Sequence, residues 1–117
     1  LRYDGALLAL SRHGVAMDPR LVYPADAYTA SVGEAAVRHW LDRGLRFDAI
    51  VAQSDPQAAG AINELLRRGI RVPEDVRVIG VDNSQICDAC SVKITSVTAE
   101  MSRVGQLAVE QLCRIME

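Results

Sequence analysis

A chain of 117 residues, 50% hydrophobic and 24% charged, lies within the range of a single α/β domain with one core. Its net charge is -2, its pI is about 5.7, and the sequence contains no block of Lys or Arg. We therefore expect no basic surface of the kind that binding to a phosphate backbone requires. No apolar run approaches the roughly 20 residues of a membrane span, no signal-peptide pattern opens the chain, and the three cysteines form no disulfide framework. We therefore expect a cytoplasmic protein with reduced thiols and no membrane contact, which does not bind DNA through this chain.

The first half of the chain predicts a helix, a strand and a second helix. Apolar residues at helical spacing over residues 3–10, with Gly14 as a left-handed cap, indicate a helix of about three turns. Residues 21–23 are a short apolar strand candidate that follows an Asp-Pro turn. The next helix is predicted over about residues 29–43, and Gly44 is its stop signal.

The second half continues this alternation. Residues 49–52 predict a buried strand, after which Asp55 and the proline that follows it are interpreted as the N-cap and first position of a helix that ends at Gly69. Residues 76–81 and 95–97 predict two further strands, separated by an irregular stretch. A final helix closes the chain, and its apolar stripe is predicted to pack into the core: Met101, Val104, Ala108, Leu112 and Ile115.

Strands that alternate with helices through long crossovers predict an α/β fold, with a doubly wound parallel sheet and helices on both faces. Ligands of such sheets collect beyond the carboxyl ends of the strands. Polar and aromatic residues follow the four predicted strands, and together they suit a sugar or a small heterocycle: Tyr28, Gln53, Ser54, Asp55, Asp82, Asn83 and Thr98.

Alternative roles exist for the carboxylates among these residues. Asp55 is assigned mainly to capping its helix, which makes Ser54 the better candidate for ligand contact. From its position at the end of a strand, Asp82 is equally suited to capping the next turn and to binding a ligand. Asp55 and Asn83 are kept as additional candidate ligand residues.

Other chemistry has little support in the sequence. No glycine-rich phosphate loop follows a strand, and both histidines are expected on helix surfaces, so no catalytic residue, cofactor or metal is assigned. Cys87 and Cys90 have the spacing of a redox or zinc motif. The other interpretation is two small, half-buried residues of a loop, since zinc would need two further ligands.

Residues 47–83 carry the most specific motif, FDAIVAQSDPQAAGAINELLRRGIRVPEDVRVIGVDN. Together with Arg2, Gly5 and the segment around residues 95–105, this run resembles the C-terminal subdomain of the effector-binding domain of LacI/GalR transcriptional regulators. The resemblance implies a periplasmic-binding-protein-like, Rossmann-like lobe and no enzyme. It implies inward polar groups at the positions matched by Arg2, Tyr28, Ser54 and Asp82.

Two departures from the family pattern bear on specificity. Ser54 stands where many members have Asn, and Ala99 stands where some present a hydrogen-bonding Gln. A shorter side chain at the first position and a lost contact at the second imply a roomier or more hydrated pocket.

The same resemblance implies that the pocket binds a small polar effector and thereby changes the DNA affinity of a homodimer. Its dimer interface would include Ala59, Ile86, Cys87 and Cys90. The family's helix-turn-helix, most of its N-terminal subdomain and one inner strand have no counterpart in these residues, so a fragment of a longer protein is expected. One alternative is a lobe of a periplasmic sugar-binding protein of a transporter, and another is an enzyme such as a CxxC oxidoreductase or a small hydrolase.

Overall fold

The computed structural model describes residues 2–89, 92–98 and 100–116, and no side chain is described at residues 88, 89 and 101. Five α-helices, one 3-10 turn and three strands are observed in these residues. In chain order they are α1 (Arg2–Arg12), the 3-10 turn (Pro19–Leu21), α2 (Ala30–Asp42), β1 (Ala49–Val51), α3 (Asp55–Arg67), β2 (Arg77–Val81), α4 (Ile86–Ala89), β3 (Thr95–Val97) and α5 (Met101–Met116).

The three strands form one parallel sheet in the order β1, β2, β3. Ile50 lies beside Val78, and Gly80 lies beside Ser96, so the carboxyl ends of all three strands meet at one edge. The α/β parallel fold that the sequence predicts is therefore confirmed. Gly14, Gly44 and Gly69 follow α1, α2 and α3 with positive φ angles of 70°, 69° and 76°, as their predicted role as helix stops requires.

The predicted strand over residues 21–23 is wrong. The Asp18 carboxylate accepts a hydrogen bond from the Arg20 amide (2.9 Å), and this contact starts the 3-10 turn that includes Leu21. Tyr23 instead packs edge-on against Trp40 and His39, with ring centroids 6.4 and 5.4 Å apart. A local Asp-Pro turn signal therefore prevailed over a short apolar run, whose strand propensity depends on a neighbour to pair with.

The core lies where α2 and α3 pack together and α3 covers β2. Two glycines allow the helix backbones to touch, because a Cβ atom on Gly60 would lie 1.8 Å from the Ala30 carbonyl oxygen and one on Gly33 would lie 2.0 Å from that of Gln57. Around this contact Val37, Ile62 and Leu65 are fully buried. The helix pair thus fixes the start of α3, which carries part of the site described below.

The apolar stripe of α5 does not pack into this core, so that prediction is wrong for the side chains described. Val104, Leu112 and Ile115 are 48%, 55% and 72% exposed. The 3.6-residue period correctly identified a helix with one apolar face, but periodicity does not determine which surface covers that face. Among the described residues, no helix is both long and apolar enough to cross a membrane.

Candidate functional site

Three of the predicted site residues meet at the carboxyl edge of the sheet. The Arg2 guanidinium donates one hydrogen bond to the Gln53 carbonyl (2.6 Å) and a long one to the Asp82 carboxylate (3.4 Å). Its central carbon lies 5.9 Å from the centroid of the Tyr28 ring, within the range of a cation–π contact. Residues from α1, from the loop before α2 and from the turn after β2 therefore form one cluster.

This cluster is open to solvent. The side chains of Arg2 and Asp82 are 46% and 51% exposed, and Tyr28 is 59% exposed. An ion pair this accessible contributes only about 0–1 kcal/mol to stability. The guanidinium, the carboxylate and the aromatic face are thus available to a ligand, and the fold does not depend on their pairing.

The backbone at Asp82 has an unusual conformation. Asp82 has a φ of 101° and Asn83 a φ of 52°, in the region that side chains other than glycine rarely adopt. Such a conformation costs about 1–3 kcal/mol and persists only where surrounding contacts hold it. Strain of this kind concentrates at functional sites, and here it lies in the turn that carries the Asp82 carboxylate.

Three successive amides of this turn have defined hydrogen-bond acceptors. The Asp82 amide donates to the Val97 carbonyl (2.8 Å), the Asn83 amide to the Ser96 hydroxyl (2.9 Å) and the Ser84 amide to the Asp55 carboxylate (2.6 Å). The Ser96 hydroxyl in turn donates to the other Asp55 oxygen (2.6 Å). These contacts hold the strained turn in place.

The structure corrects the assignment of the helix cap. Ser54 is the N-cap of α3, with an extended backbone and a side chain that accepts a hydrogen bond from the Gln57 amide (3.4 Å). Asp55 is the first residue of the helix and is fully buried, with both carboxylate oxygens engaged beneath the turn. The prediction that Asp55 mainly caps the helix is therefore wrong, because a buried partner network satisfies its carboxylate.

Burial by itself raises the pKa of Asp55. Hydrogen bonds from the Ser96 hydroxyl, the Ser84 amide and Cys87 outweigh that effect and leave the pKa below its ordinary value of 3.8. Gly80 makes room for this carboxylate, because a Cβ atom at that position would lie 2.3 Å from an Asp55 oxygen. Asp55 is thus an ionised buried group that offers no surface to a ligand in this conformation.

The remaining ligand candidates differ in accessibility. Ser54 is only 3% exposed, whereas Asn83 is exposed at the turn. Ala99, one of the two departures from the family pattern, lies outside the described residues.

Sequence reasoning missed two residues that organise the cluster. Gln57 accepts a hydrogen bond from the Gln53 amide (3.1 Å) and donates one to the Ala27 carbonyl (2.8 Å), so it links the loop that carries Tyr28 to the end of β1. Ser96 links Asp55 to the Asn83 amide. Both depend on contacts between segments 13 to 41 residues apart, for which the sequence holds no local signal.

An apolar groove of about 410 Å³ lies beside the cluster. It runs between residues 21–25, the inner face of α2 and the outer edge of β1, and Trp40 lines it. The indole N–H of Trp40 is buried and has no hydrogen-bond partner among the described residues.

The residues predicted at a dimer interface are mostly buried inside the chain. Ala59 and Cys87 are 4% and 3% exposed, Ile86 is half-buried, and Cys90 lies outside the described residues. Within residues 2–89, 92–98 and 100–116, no group of three or more His, Cys, Asp or Glu side chains could hold a metal ion.

Known proteins resemble this chain over its whole length. Residues 1–117 match the family described as periplasmic binding protein-like domain. The HTH-type transcriptional repressor CytR of Escherichia coli K12 is 32% identical, over 92% of this chain and 31% of its own length. The chain thus spans about a third of the length of the curated relatives it matches.

Solved structures agree with this match. The crystal structure of the Escherichia coli transcriptional repressor ascG superposes with a TM-score of 0.88 at 32% identity, covering 98% of this chain and 41% of that one. A complex of the transcriptional regulator CelR with cellobiose has a TM-score of 0.77 at 39% identity, covering 83% of this chain and 29% of that one.

Proposed function

Since the chain belongs to the periplasmic binding protein-like family of LacI-type transcriptional regulators, we propose that it forms one wall of a regulator's effector pocket and binds a sugar or a related polar metabolite. The observation that supports this proposal most is the convergence of Arg2, Tyr28 and Asp82 at the carboxyl edge of a parallel sheet. Ligands of open α/β sheets bind at this edge.

The chemistry of the cluster suits a polyhydroxylated ligand. A carboxylate such as that of Asp82 accepts hydrogen bonds from two neighbouring hydroxyls, and the guanidinium of Arg2 donates a fork of N–H groups. The ring of Tyr28 offers an apolar face to the C–H side of a sugar. The structure of the relative CelR is a complex with cellobiose, which supports this ligand class for the chain. Ser54 and Asn83 are secondary candidates for contact, and Ser54 would have to become more exposed than it is here.

In this proposal a second subdomain forms the other wall of the pocket, and ligand binding between the two walls regulates DNA binding. A ligand that binds both walls favours the closed arrangement, and it changes the DNA affinity of a dimer only through its different affinities for the two arrangements. The DNA contacts belong to a helix-turn-helix outside these residues, and no cofactor or catalytic step is part of the proposal. We propose that the protein is cytoplasmic and dimeric, with a dimer contact near α4 at the half-buried Ile86. Ala59 and Cys87 are buried within the chain and offer no surface to a partner in this conformation, and Cys90 lies outside the described residues. None of the relatives named above is a transport protein, so the regulator is preferred to the transporter lobe.

A ligand screen on the full-length protein tests this function. Sugars, beginning with cellobiose, and purine nucleosides would be added in a thermal-shift assay, and each stabilising compound would then be tested for its effect on operator binding by fluorescence anisotropy. At a concentration of 100 Kd a true effector stabilises the folded state by about 2.7 kcal/mol, a readily measured shift. We expect a sugar to raise the Tm and to change DNA affinity by at least about fivefold. A compound that stabilises the protein and leaves operator binding unchanged would refute the regulatory role of the pocket.

A further inference from the structure

We infer that Asp55 is a positioning residue, which holds the strained Asp82–Ser84 turn so that the Asp82 carboxylate faces Arg2. The inference rests on the proposed function only in taking Asp82 as the residue that contacts the ligand. The role of Asp55 in holding the turn stands on the contacts of this chain alone.

Local backbone preferences do not stabilise the turn at Asp82 and Asn83. Asp82 and Asn83 are two consecutive non-glycine residues with positive φ, so each contributes strain that other contacts must offset. The turn is also exposed, since both side chains lie at the surface. Stabilising contacts must therefore come from the backbone amides, which point inward.

The acceptors of those amides lead back to Asp55. One oxygen of Asp55 accepts directly from the Ser84 amide, and the other accepts from the Ser96 hydroxyl, which itself accepts from the Asn83 amide. Two of the three successive turn amides thus depend on one carboxylate, the second of them through a relay. Hydrogen bonds to an ionised group are about twice as strong as neutral ones.

The packing around α3 holds this carboxylate in place. Asp55 is fully buried at the first position of α3, whose start is fixed by the α2–α3 contact and by the close approach of Gly80. It therefore connects the buried start of α3 to the turn that has two consecutive positive φ angles. Its burial costs free energy that only satisfied hydrogen bonds offset, which makes the Asp55 network sensitive to any change in the turn.

Hydrogen exchange in the full-length protein tests the inference without any ligand. Single-residue exchange, measured by mass spectrometry with electron-transfer fragmentation, would be compared between wild type and Asp55→Ala. We expect the Ser84 amide to exchange at least about tenfold faster, because its acceptor is removed. The Asn83 amide should also exchange faster, because the Ser96 hydroxyl that accepts from it loses the carboxylate to which it donates. Unchanged protection at both amides would overturn the inference.

A matched control separates positioning from general stability. Glu64 is the second buried carboxylate of α3, 2% exposed, and its partners are Arg38, Arg67 and Arg68 on the surface. Glu64→Ala should accelerate exchange in the helix and leave the ratio between the turn amides and the core amides unchanged. Equal acceleration of the turn amides in Asp55→Ala and Glu64→Ala would mean that Asp55 acts on overall stability alone, which contradicts the inference.

A second variant keeps the test decisive if Asp55→Ala does not fold. Ser96→Ala leaves the carboxylate in place and removes only the relay, so exchange at Asn83 should rise by about tenfold while Ser84 stays protected. An Asn83 amide as protected as in wild type would overturn the relay and with it the inference.

The consequence for binding is measured separately, with cellobiose as the probe. If cellobiose binds the wild type, its affinity should fall by about tenfold in Asp55→Ala and stay within about twofold in Glu64→Ala, under conditions in which both variants are folded. Equal affinities in Asp55→Ala and wild type would overturn the link between the turn and the ligand. If cellobiose does not bind the wild type, the result counts against that sugar as the effector, and the exchange data alone decide the role of Asp55.

Discussion

Replacing Asp82 with alanine is expected to lower the affinity of the full-length protein for its effector by about 100-fold or more. The physical reason is that the carboxylate is the exposed anionic acceptor of the cluster, and each hydrogen bond to a charged group contributes about 1.5–3 kcal/mol. The Asp82 side chain is 51% exposed to solvent, so the substitution should remove ligand contacts without leaving a cavity in the core. Isothermal titration calorimetry of both proteins measures the change.

Asp42→Ala is the control for this experiment. Asp42 is also an exposed aspartate, 57% accessible, and it also pairs with an arginine, Arg68, at 2.9 Å. It lies at the end of α2, away from the cluster, so its removal should change the affinity by less than about twofold. A ligand that binds Asp82→Ala as tightly as wild type would refute the site assignment.

Truncating Leu65 to alanine is expected to destabilise the protein by about 2–5 kcal/mol, the largest effect on folding that we predict. Leu65 is fully buried in α3 as part of the hydrophobic core, and the loss of its isopropyl group leaves a cavity that close-packed neighbours cannot fill. The free energy of unfolding, measured by urea denaturation monitored with circular dichroism, provides the test.

The neighbouring leucine supplies a matched control. Leu66 is in the same helix and is 37% exposed, so Leu66→Ala makes the same chemical change at a surface position and should cost less than about 1 kcal/mol. Equal costs at the two positions would contradict the orientation of α3 against the sheet.

Four of the five helices in the described residues were predicted from the sequence, whereas α4 lies in the stretch that was predicted to be irregular. Gly14, Gly44 and Gly69 mark the helix stops because only a residue without a Cβ adopts positive φ at no cost, and that rule is local. Strands were less predictable, as residues 21–23 demonstrate, because a short apolar run becomes a strand only when another strand pairs with it. The predicted burial of the apolar stripe of α5 is wrong for a related reason, since burial depends on a surface outside the helix.

The candidate site was predictable where it follows from strand ends. The sequence predicts Tyr28 just after a strand that does not form, yet the loop that carries Tyr28 still reaches the cluster, held by the hydrogen bond of Gln57 to the Ala27 carbonyl. Arg2 was named only through the family resemblance, because nothing local distinguishes it from a solvated residue of a first helical turn. The buried position of Asp55 could not be predicted, since it depends on Ser84 and Ser96 approaching from other elements.

We expect the effector to bind at the cluster of Arg2, Tyr28 and Asp82, and a crystal structure of the full-length protein with its effector would show where the ligand lies. We predict ligand hydroxyl oxygens within about 3 Å of the Asp82 carboxylate and of the Arg2 guanidinium, with the Tyr28 ring against an apolar face of the ligand. A ligand bound elsewhere in the protein, with Asp82 still paired only to Arg2, would contradict the assignment of the effector site to this cluster.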